Sequence, residues 1–129
     1  MRIEPSEGTH AEQIAAMCAE EGWTAWAEPE RARRALTAPG ASAVIALEGG
    51  EVVGAAQMIS DGSIASYMSM LLVRESHRGG GLGRELVAAL FSRSGMDRID
   101  LLAEPDAAGF YRRLQHRELI GFRLYPEAP

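Results

Sequence analysis

Residues 67–89 read YMSMLLVRESHRGGGLGRELVAA, and this stretch decides the fold. Its first part is apolar and ends at Val73, with the alternation of a strand that places Met68, Met70 and Leu72 on one face. The glycines 79–81 follow, and from Arg84 onward apolar residues recur at helical spacing. A strand that passes through glycines into a helix gathers free backbone N–H groups at the positive end of the helix dipole. The stretch therefore predicts an anion site, most often a phosphate site.

The common phosphate-binding motifs can be tested against this loop. A Walker A loop requires a lysine after its second glycine, and the chain contains no lysine. A dinucleotide-binding fingerprint requires G-x-G-x-x-G, but its last position falls on Arg84 when counted from Gly79 and on a leucine when counted from Gly81. What remains is the pattern Arg-x-x-Gly-x-Gly, which is carried by Arg78, Gly81 and Gly83.

This pattern, preceded by a strand that ends in Val73, resembles the pyrophosphate motif of the GNAT superfamily of acetyl-CoA-dependent N-acyltransferases. The resemblance implies that the loop wraps the pyrophosphate of coenzyme A and that the backbone of 71–73 pairs with the pantetheine arm. The alternative interpretation is an ordinary glycine-rich connection between a strand and a helix. The residues that the resemblance assigns to acetyl-CoA in this part of the chain are Leu71, Leu72, Val73, Arg78, Gly79, Gly80, Gly81, Leu82, Gly83 and Arg84.

A second segment, 104–111, reads EPDAAGFY and resembles another GNAT motif, Asn-x-x-Ala-x-x-Phe-Tyr. It departs from the family by a glutamate in place of asparagine and by Gln115-His116 in place of Gly-Phe. The resemblance makes Tyr111 the general acid that protonates the leaving thiolate. The alternative is a half-buried aromatic side chain where a helix meets the sheet. The resemblance adds three residues to the cofactor site: Glu104, Ala107 and Phe110.

The composition is that of one globular domain of 129 residues with a net charge of −5. This length supports a single core, so we expect one domain over residues 1–129. The negative charge argues against nonspecific binding of nucleic acid, and no apolar run has transmembrane length. Cys18 is the only cysteine, which excludes an internal disulfide, and the N-terminus lacks the apolar core of a signal peptide. We therefore expect a cytoplasmic protein, without a metal site.

The periodicities and turn residues predict the element order β-α-α-β-β-β-α-β-α-β. The predicted strands cover residues 1–4, 43–47, 52–59, 64–73, 98–103 and 118–125, and the predicted helices cover 11–20, 28–37, 82–94 and 105–114. A Thr-x-x-Glu capping box at Thr9 is expected to begin the first helix. The same order occurs in the GNAT fold. We therefore expect an α/β (mixed α+β) domain whose mostly antiparallel sheet of six to seven strands is flanked by about four helices.

A general base for the acceptor amine is less evident. The predicted central strand, 64–73, carries no carboxylate. The candidates by position are Asp61, His10, Glu21 and Glu104, and each also fits a solvated turn, helix or capping residue. We therefore expect a base that acts through water, with backbone N–H groups near 72–73 stabilising the negative charge on the carbonyl oxygen.

Trp23 and Trp26 lie between the first two predicted helices, in the segment that borders the acceptor site in GNAT enzymes. They form either an aromatic wall for the acceptor or a packing contact between helices and sheet. The resemblance implies an N-acetyltransferase that moves an acetyl group from acetyl-CoA to an amine of a small molecule or a protein, by direct attack in a ternary complex. A non-catalytic acyl-CoA-binding or regulatory module with the same fold is the alternative. The predicted strand 118–125 is also a possible homodimer edge.

Overall fold

A computed structural model describes residues 1–128 of the chain. Within these residues four antiparallel strands form one sheet in sequence order: β1 (Arg2–Pro5), β2 (Ala41–Glu48), β3 (Glu51–Ser60) and β4 (Ser66–Val73). The α-helices are α1 (Ala11–Glu20), α2 (Pro29–Thr37), α3 (Leu82–Ser94) and α4 (Ala108–Arg112). A 3-10 turn, Glu75–His77, lies between β4 and α3. No helix in the described part of the chain is long and apolar enough to cross a membrane.

The first three helices form where the sequence patterns predict them. α1 and α3 have the predicted bounds, and α2 is capped by the Glu28 carboxylate, which accepts from the backbone N–H of Arg31 at 2.7 Å and of Glu30 at 3.1 Å. The bonds from Arg31 and Glu30 hold the pKa of Glu28 below its usual value. The predicted capping box of α1 is wrong. His10 precedes the helix without a side-chain bond to its first turn, because the Thr9 hydroxyl contacts the His10 ring instead.

A two-residue turn joins β2 to β3. Glu48 pairs with Glu51, and Gly49 and Gly50 between them have φ angles of 59° and 82°. Hairpin turns with two positive φ angles match the twist of the flanking strands, and glycine reaches these angles at little cost. The predicted tight hairpin is therefore confirmed.

The sheet buries apolar side chains on both faces, and β3 is buried along most of its length. One cluster lies between the sheet and helices α1 and α2 and includes Ile14 and Ile45. The other lies between the sheet and α3 and includes Met58 and Leu86. We call these the α1–α2 cluster and the α3 cluster. Since the helices cover opposite faces, the position of a residue along a strand decides which cluster its side chain joins.

The sheet is smaller than the sequence predicted, with four strands rather than six to seven in residues 1–128. The predicted strand 98–103 contributes one parallel bridge, between Asp100 and Tyr67. The predicted strand 118–125 does not form, and the predicted helix 105–114 is shortened to α4. Apolar alternation produces a strand only where a neighbouring strand pairs with it over several residues, and within 98–103 only Asp100 makes main-chain hydrogen bonds to β4.

Candidate active site

β4 and the segment that follows α3 meet at one point and then separate. The main chain of Asp100 accepts from the N–H of Met68 at 2.9 Å and donates to the carbonyl of Ser66 at 3.0 Å. Beyond these bonds, no main-chain hydrogen bond between described residues joins 101–103 to β4. Apart from the Val73 carbonyl, which accepts a hydrogen bond from the Arg78 side chain, the outer edge of β4 over residues 69–73 is therefore free to pair with a ligand that lies extended along it.

A β-bulge interrupts β4 at Ser69. Met68 pairs with Met58 and Met70 pairs with Gln57, so Ser69 has no partner on β3. Met68 consequently packs in the α3 cluster, whereas Met70 packs in the α1–α2 cluster. The regular alternation that the sequence predicted, with Met68 and Met70 on one face, is wrong because the extra residue shifts the phase by one.

The glycine loop leads directly into α3. Gly79 and Gly81 have φ angles of 82° and 88°, a region that glycine adopts without the strain that a side chain would bring. A Cβ built on Gly79, Gly80 or Gly81 meets no heavy atom within 4 Å, so the space in front of the loop is open. Gly81 precedes the first turn of α3 and provides no side-chain cap. The N–H groups of that turn are therefore available to an anion.

Both arginines that flank the glycines are held by other parts of the protein. The Nε of Arg78 donates to the carbonyl of Val73 at 2.9 Å, and its Nη2 donates to the Glu21 carboxylate at 2.5 Å. Arg84 donates to the carbonyl of Arg113 at 2.9 Å. Arg78 thus joins the glycine loop to the end of β4 and to the residue after α1, while Arg84 joins α3 to the residue after α4. Their contacts position the loop.

α4 packs against the start of α3 through Phe110. A Cβ on Gly83 would lie 2.9 Å from the Phe110 ring, so only glycine allows this approach. The Tyr111 ring meets Phe110 edge-on, with 5.0 Å between ring centroids and 83° between the planes. Tyr111 also packs against the α3 cluster. Gly83, the second glycine of the Arg-x-x-Gly-x-Gly motif, therefore allows α4, which carries Tyr111, to pack closely against α3.

Two titratable side chains are perturbed by burial. Burial raises the pKa of Tyr111, so its phenol stays protonated at neutral pH, which is the form that a general acid requires. Burial, together with the nearby charge of Glu21, raises the pKa of Cys18 to about 12. Cys18 lies in the α1–α2 cluster and is therefore a protonated core thiol rather than a nucleophile.

The remaining residues that the sequence assigned to the cofactor lie along β4 and ahead of α4. Leu72 is buried, and Leu71 and Val73 are half-buried. Ala107 is half-buried, whereas Glu104 is exposed and accepts a main-chain hydrogen bond from Ala107 at 2.9 Å. Arg78 links β4 to the glycine loop through the Val73 carbonyl. Gly83 and Arg84 link α4 and the residue after it to the start of α3.

Trp23 and Trp26 lie in the connection between α1 and α2. Trp26 packs against the α1–α2 cluster, while Trp23 is 37% exposed. Trp26 thus has the packing role, and Trp23 is the aromatic side chain of this segment that a ligand can contact.

Two of the four candidate bases are engaged in structural contacts. The Asp61 carboxylate accepts from three backbone N–H groups of the β3–β4 turn at 2.8–3.1 Å, and these bonds hold the pKa of Asp61 below its usual value. Glu21 pairs with Arg78. The ring of His10 contacts its neighbouring threonine, and Glu104 is exposed to solvent. We therefore keep the prediction that the acceptor amine loses its proton through water rather than to a dedicated side chain.

Sequence reasoning missed one polar group beside the bulge. Gln57 stands in the apolar interior of β3 and is only 4% exposed. Its Nε2 donates to the carbonyl of Ala35 in α2 at 3.0 Å, and the Ser69 hydroxyl donates to its Oε1. A single amide inside an otherwise apolar strand is the signal in the sequence that points to such a pair.

Comparisons with known proteins agree on one family. Residues 7–123 match the model of the acetyltransferase (GNAT) domain. No curated protein matches the sequence significantly. Among solved structures, a protein of Deinococcus radiodurans R1 assigned as an acetyltransferase superposes with a TM-score of 0.80 at 29% sequence identity. That alignment covers 96% of this chain and 87% of the other.

Two further solved structures share the fold at lower sequence identity. The ribosomal-protein-alanine N-acetyltransferase of Brucella melitensis biovar Abortus 2308 gives a TM-score of 0.76 at 17% identity, over 98% of this chain and 100% of its own. The aminoglycoside N-acetyltransferase AAC(6')-Iy in complex with CoA gives 0.76 at 19% identity, over 98% and 99%. Because the family model spans nearly the whole chain, this chain belongs to the GNAT acetyltransferase family.

Proposed function

We propose that the protein transfers the acetyl group of acetyl-CoA to a primary amine by direct attack in a ternary complex. The observation that carries this proposal is the glycine loop ahead of α3, with two left-handed glycines, open space before it and a first helical turn without a side-chain cap. Such a loop suits the pyrophosphate of coenzyme A. The free edge of β4 over residues 69–73 suits the amides of the pantetheine arm.

Bound acetyl-CoA would supply a thioester. The amine nitrogen forms a bond to its carbonyl carbon, the carbon–sulfur bond breaks, and the sulfur leaves as a thiolate. Tyr111 gives its phenolic proton to that sulfur and regains one from water. Backbone N–H groups near 72–73 stabilise the negative charge on the carbonyl oxygen. The amine loses its surplus proton to water, because β4 carries no carboxylate.

The acceptor is proposed to be an amine of a small molecule or of a protein. The names of two structurally similar proteins refer to an aminoglycoside and to a ribosomal-protein alanine, which supports an amine as the class of acceptor. The exposed face of Trp23 and the net charge of −5 are compatible with a cationic amine. A cytoplasmic location, expected from the sequence, is part of the same proposal.

A non-catalytic acyl-CoA-binding module is the second candidate. It is favoured by the engagement of Glu21 and Asp61 in structural contacts, which leaves β4 without an adjacent free carboxylate among these candidates. Gln115-His116, in place of the family's Gly-Phe, is a second departure from the family pattern that is compatible with binding without turnover. Such a module would bind acetyl-CoA through the same loop.

Calorimetric titration with CoA tests the loop, and a matched pair of variants makes the test specific. Gly80 and Gly109 both lack a positive φ, and a Cβ at either position meets nothing within 4 Å. Both alanine variants should therefore fold like the wild type. We expect Gly80→Ala to weaken CoA binding about tenfold, the equivalent of one backbone hydrogen bond, and Gly109→Ala to leave it unchanged.

A thiol-release assay with acetyl-CoA and a panel of amines tests the transfer itself. Release of CoA that depends on an amine supports the enzyme. Tight binding of CoA without release on any amine supports the module instead. Equal CoA affinities for the wild type and Gly80→Ala would contradict the assignment of the pyrophosphate to this loop.

A further inference from the structure

The hydrogen bonds around Gln57 have only one possible direction. The carbonyl of Ala35 can only accept, so the amide nitrogen of Gln57 must face it, at 3.0 Å. The amide oxygen of Gln57 then faces Ser69 and can also only accept, so the Ser69 hydroxyl must donate its proton to it. Ser69 thus has its one proton occupied and its lone pairs free. Toward any ligand it acts only as a hydrogen-bond acceptor.

Ser69 lies where the free edge of β4 begins. The last main-chain bond between β4 and the segment after α3 is made by Met68, the residue before it. The Ser69 residue is exposed, whereas its partner Gln57 is buried. Because Gln57 reaches Ala35 in α2, the Ser69 side chain lies on the α1–α2 face of the sheet, the face on which Trp26 packs.

We propose that the Ser69 hydroxyl is the subsite that binds the N–H of the acceptor amine, an assignment that rests on the proposed acetyl transfer. An attacking amine must keep its lone pair free and aim it at the carbonyl carbon. A hydroxyl that could donate would compete for that lone pair and hold the nitrogen in an unreactive orientation. A hydroxyl that can only accept takes an N–H of the amine and leaves the lone pair free.

Gln57 is a positioning residue in this arrangement. Its oxygen removes the proton of Ser69 from the ligand side, and its own orientation is set by the carbonyl of Ala35. The three groups form a chain in which every donor and acceptor is matched, so the buried amide is satisfied while the exposed hydroxyl remains available.

The test uses Ser69→Ala with Ser69→Thr as its matched control, since threonine keeps the hydroxyl and suits a strand. In the alanine variant we expect the KM for the amine to rise about tenfold, the size of one hydrogen bond, with the Kd for CoA unchanged within about twofold. The threonine variant should keep both values near those of the wild type. Calorimetric titration of the amine into the CoA-loaded protein should show the same tenfold loss without turnover.

The outcomes separate this inference from the function on which it rests. A wild-type protein that releases no CoA with any amine overturns both. A wild type that turns over, with an unchanged KM and an unchanged amine affinity in Ser69→Ala, overturns the subsite alone. If the alanine variant does not fold, Ser69→Cys carries the same measurement, because a thiol is a weak acceptor of similar size.

Discussion

Tyr111 is held from two sides, by the edge-on ring of Phe110 and by the α3 cluster. Tyr111→Phe keeps this packing and removes only the hydroxyl. We expect kcat to fall by about 10²-fold or more, the usual effect of losing a general acid, while the Kd for CoA stays unchanged. Steady-state kinetics and calorimetry measure the two quantities separately.

The matched control for this variant is Tyr125→Phe, because Tyr125 is 74% exposed and lies outside the site. It should leave kcat unchanged, and an equal kcat for all three proteins would remove the catalytic role of Tyr111.

The pH profile of turnover gives a second check on Tyr111. The acid form is required, and burial raises the pKa of Tyr111, so turnover should decline on the alkaline side only above pH ~10, the ordinary value for tyrosine.

At the scale of single residues, the position of the glycine loop could be predicted from the sequence, but the contacts made by the side chains around it could not. Arg78 and Gly83 were predicted from a phosphate motif, yet the structure shows Arg78 bonded to Val73 and Glu21, and Gly83 making room for Phe110. Both contacts join residues from different elements. Local spacing carries no information on them, because they depend on how the elements pack.

The contact between α3 and α4 gives a prediction at the scale of the element. Gly83→Ala would bring a methyl group to 2.9 Å from Phe110. Alanine is favoured over glycine inside a helix by about 1 kcal/mol, but overpacking costs about 1–3 kcal/mol. We expect a net destabilisation of about 1 kcal/mol, measured by denaturant unfolding, together with a lower kcat because Tyr111 moves with α4.

A second substitution separates packing from helix propensity. In the double variant Gly83→Ala/Phe110→Leu the smaller side chain leaves room for the methyl group, so unfolding free energy and kcat should both recover toward the values of Phe110→Leu alone. Non-additivity of this kind is expected of residues in direct contact. Additive effects of the two substitutions would show that Gly83 and Phe110 do not meet.

Among the elements, helices were easier to predict than strands. α1 and α3 carry their own signals in apolar spacing and in the residues that stop them, so their bounds could be predicted from the chain alone. The predicted strand 118–125 has equally clear alternation, but a strand also needs a neighbour at hydrogen-bonding distance. The bulge at Ser69 has the same origin, since it exists only in the pairing with β3.

At the scale of the molecule, the described chain divides into a well-packed part and a thinly covered part. The four strands and the first three helices, together with Met96 after α3, supply the two buried clusters. The last segment, 115–125, makes no main-chain hydrogen bond to other described residues. It is held by the ion pair of Arg112 with Glu118 and by the close approach of Gly121 to Leu102. The gap between β4 and the segment after α3 is open because residues 115–125 add no paired strand beside β4.

Hydrogen exchange tests this division, since amide protection follows main-chain bonding and local burial. Amides of β3, bonded to strands on both sides, should exchange slowest, and those of 118–125 should exchange almost without protection in dilute protein. Several large apolar side chains of that segment are exposed, Ile120 to 86% and Phe122 to 78%. A second copy that covered them, as in the homodimer that the sequence analysis gave as one possibility, would make their protection rise with protein concentration. Protection of 118–125 equal to that of β3 at every concentration would contradict the placement of this segment and imply a fifth, paired strand.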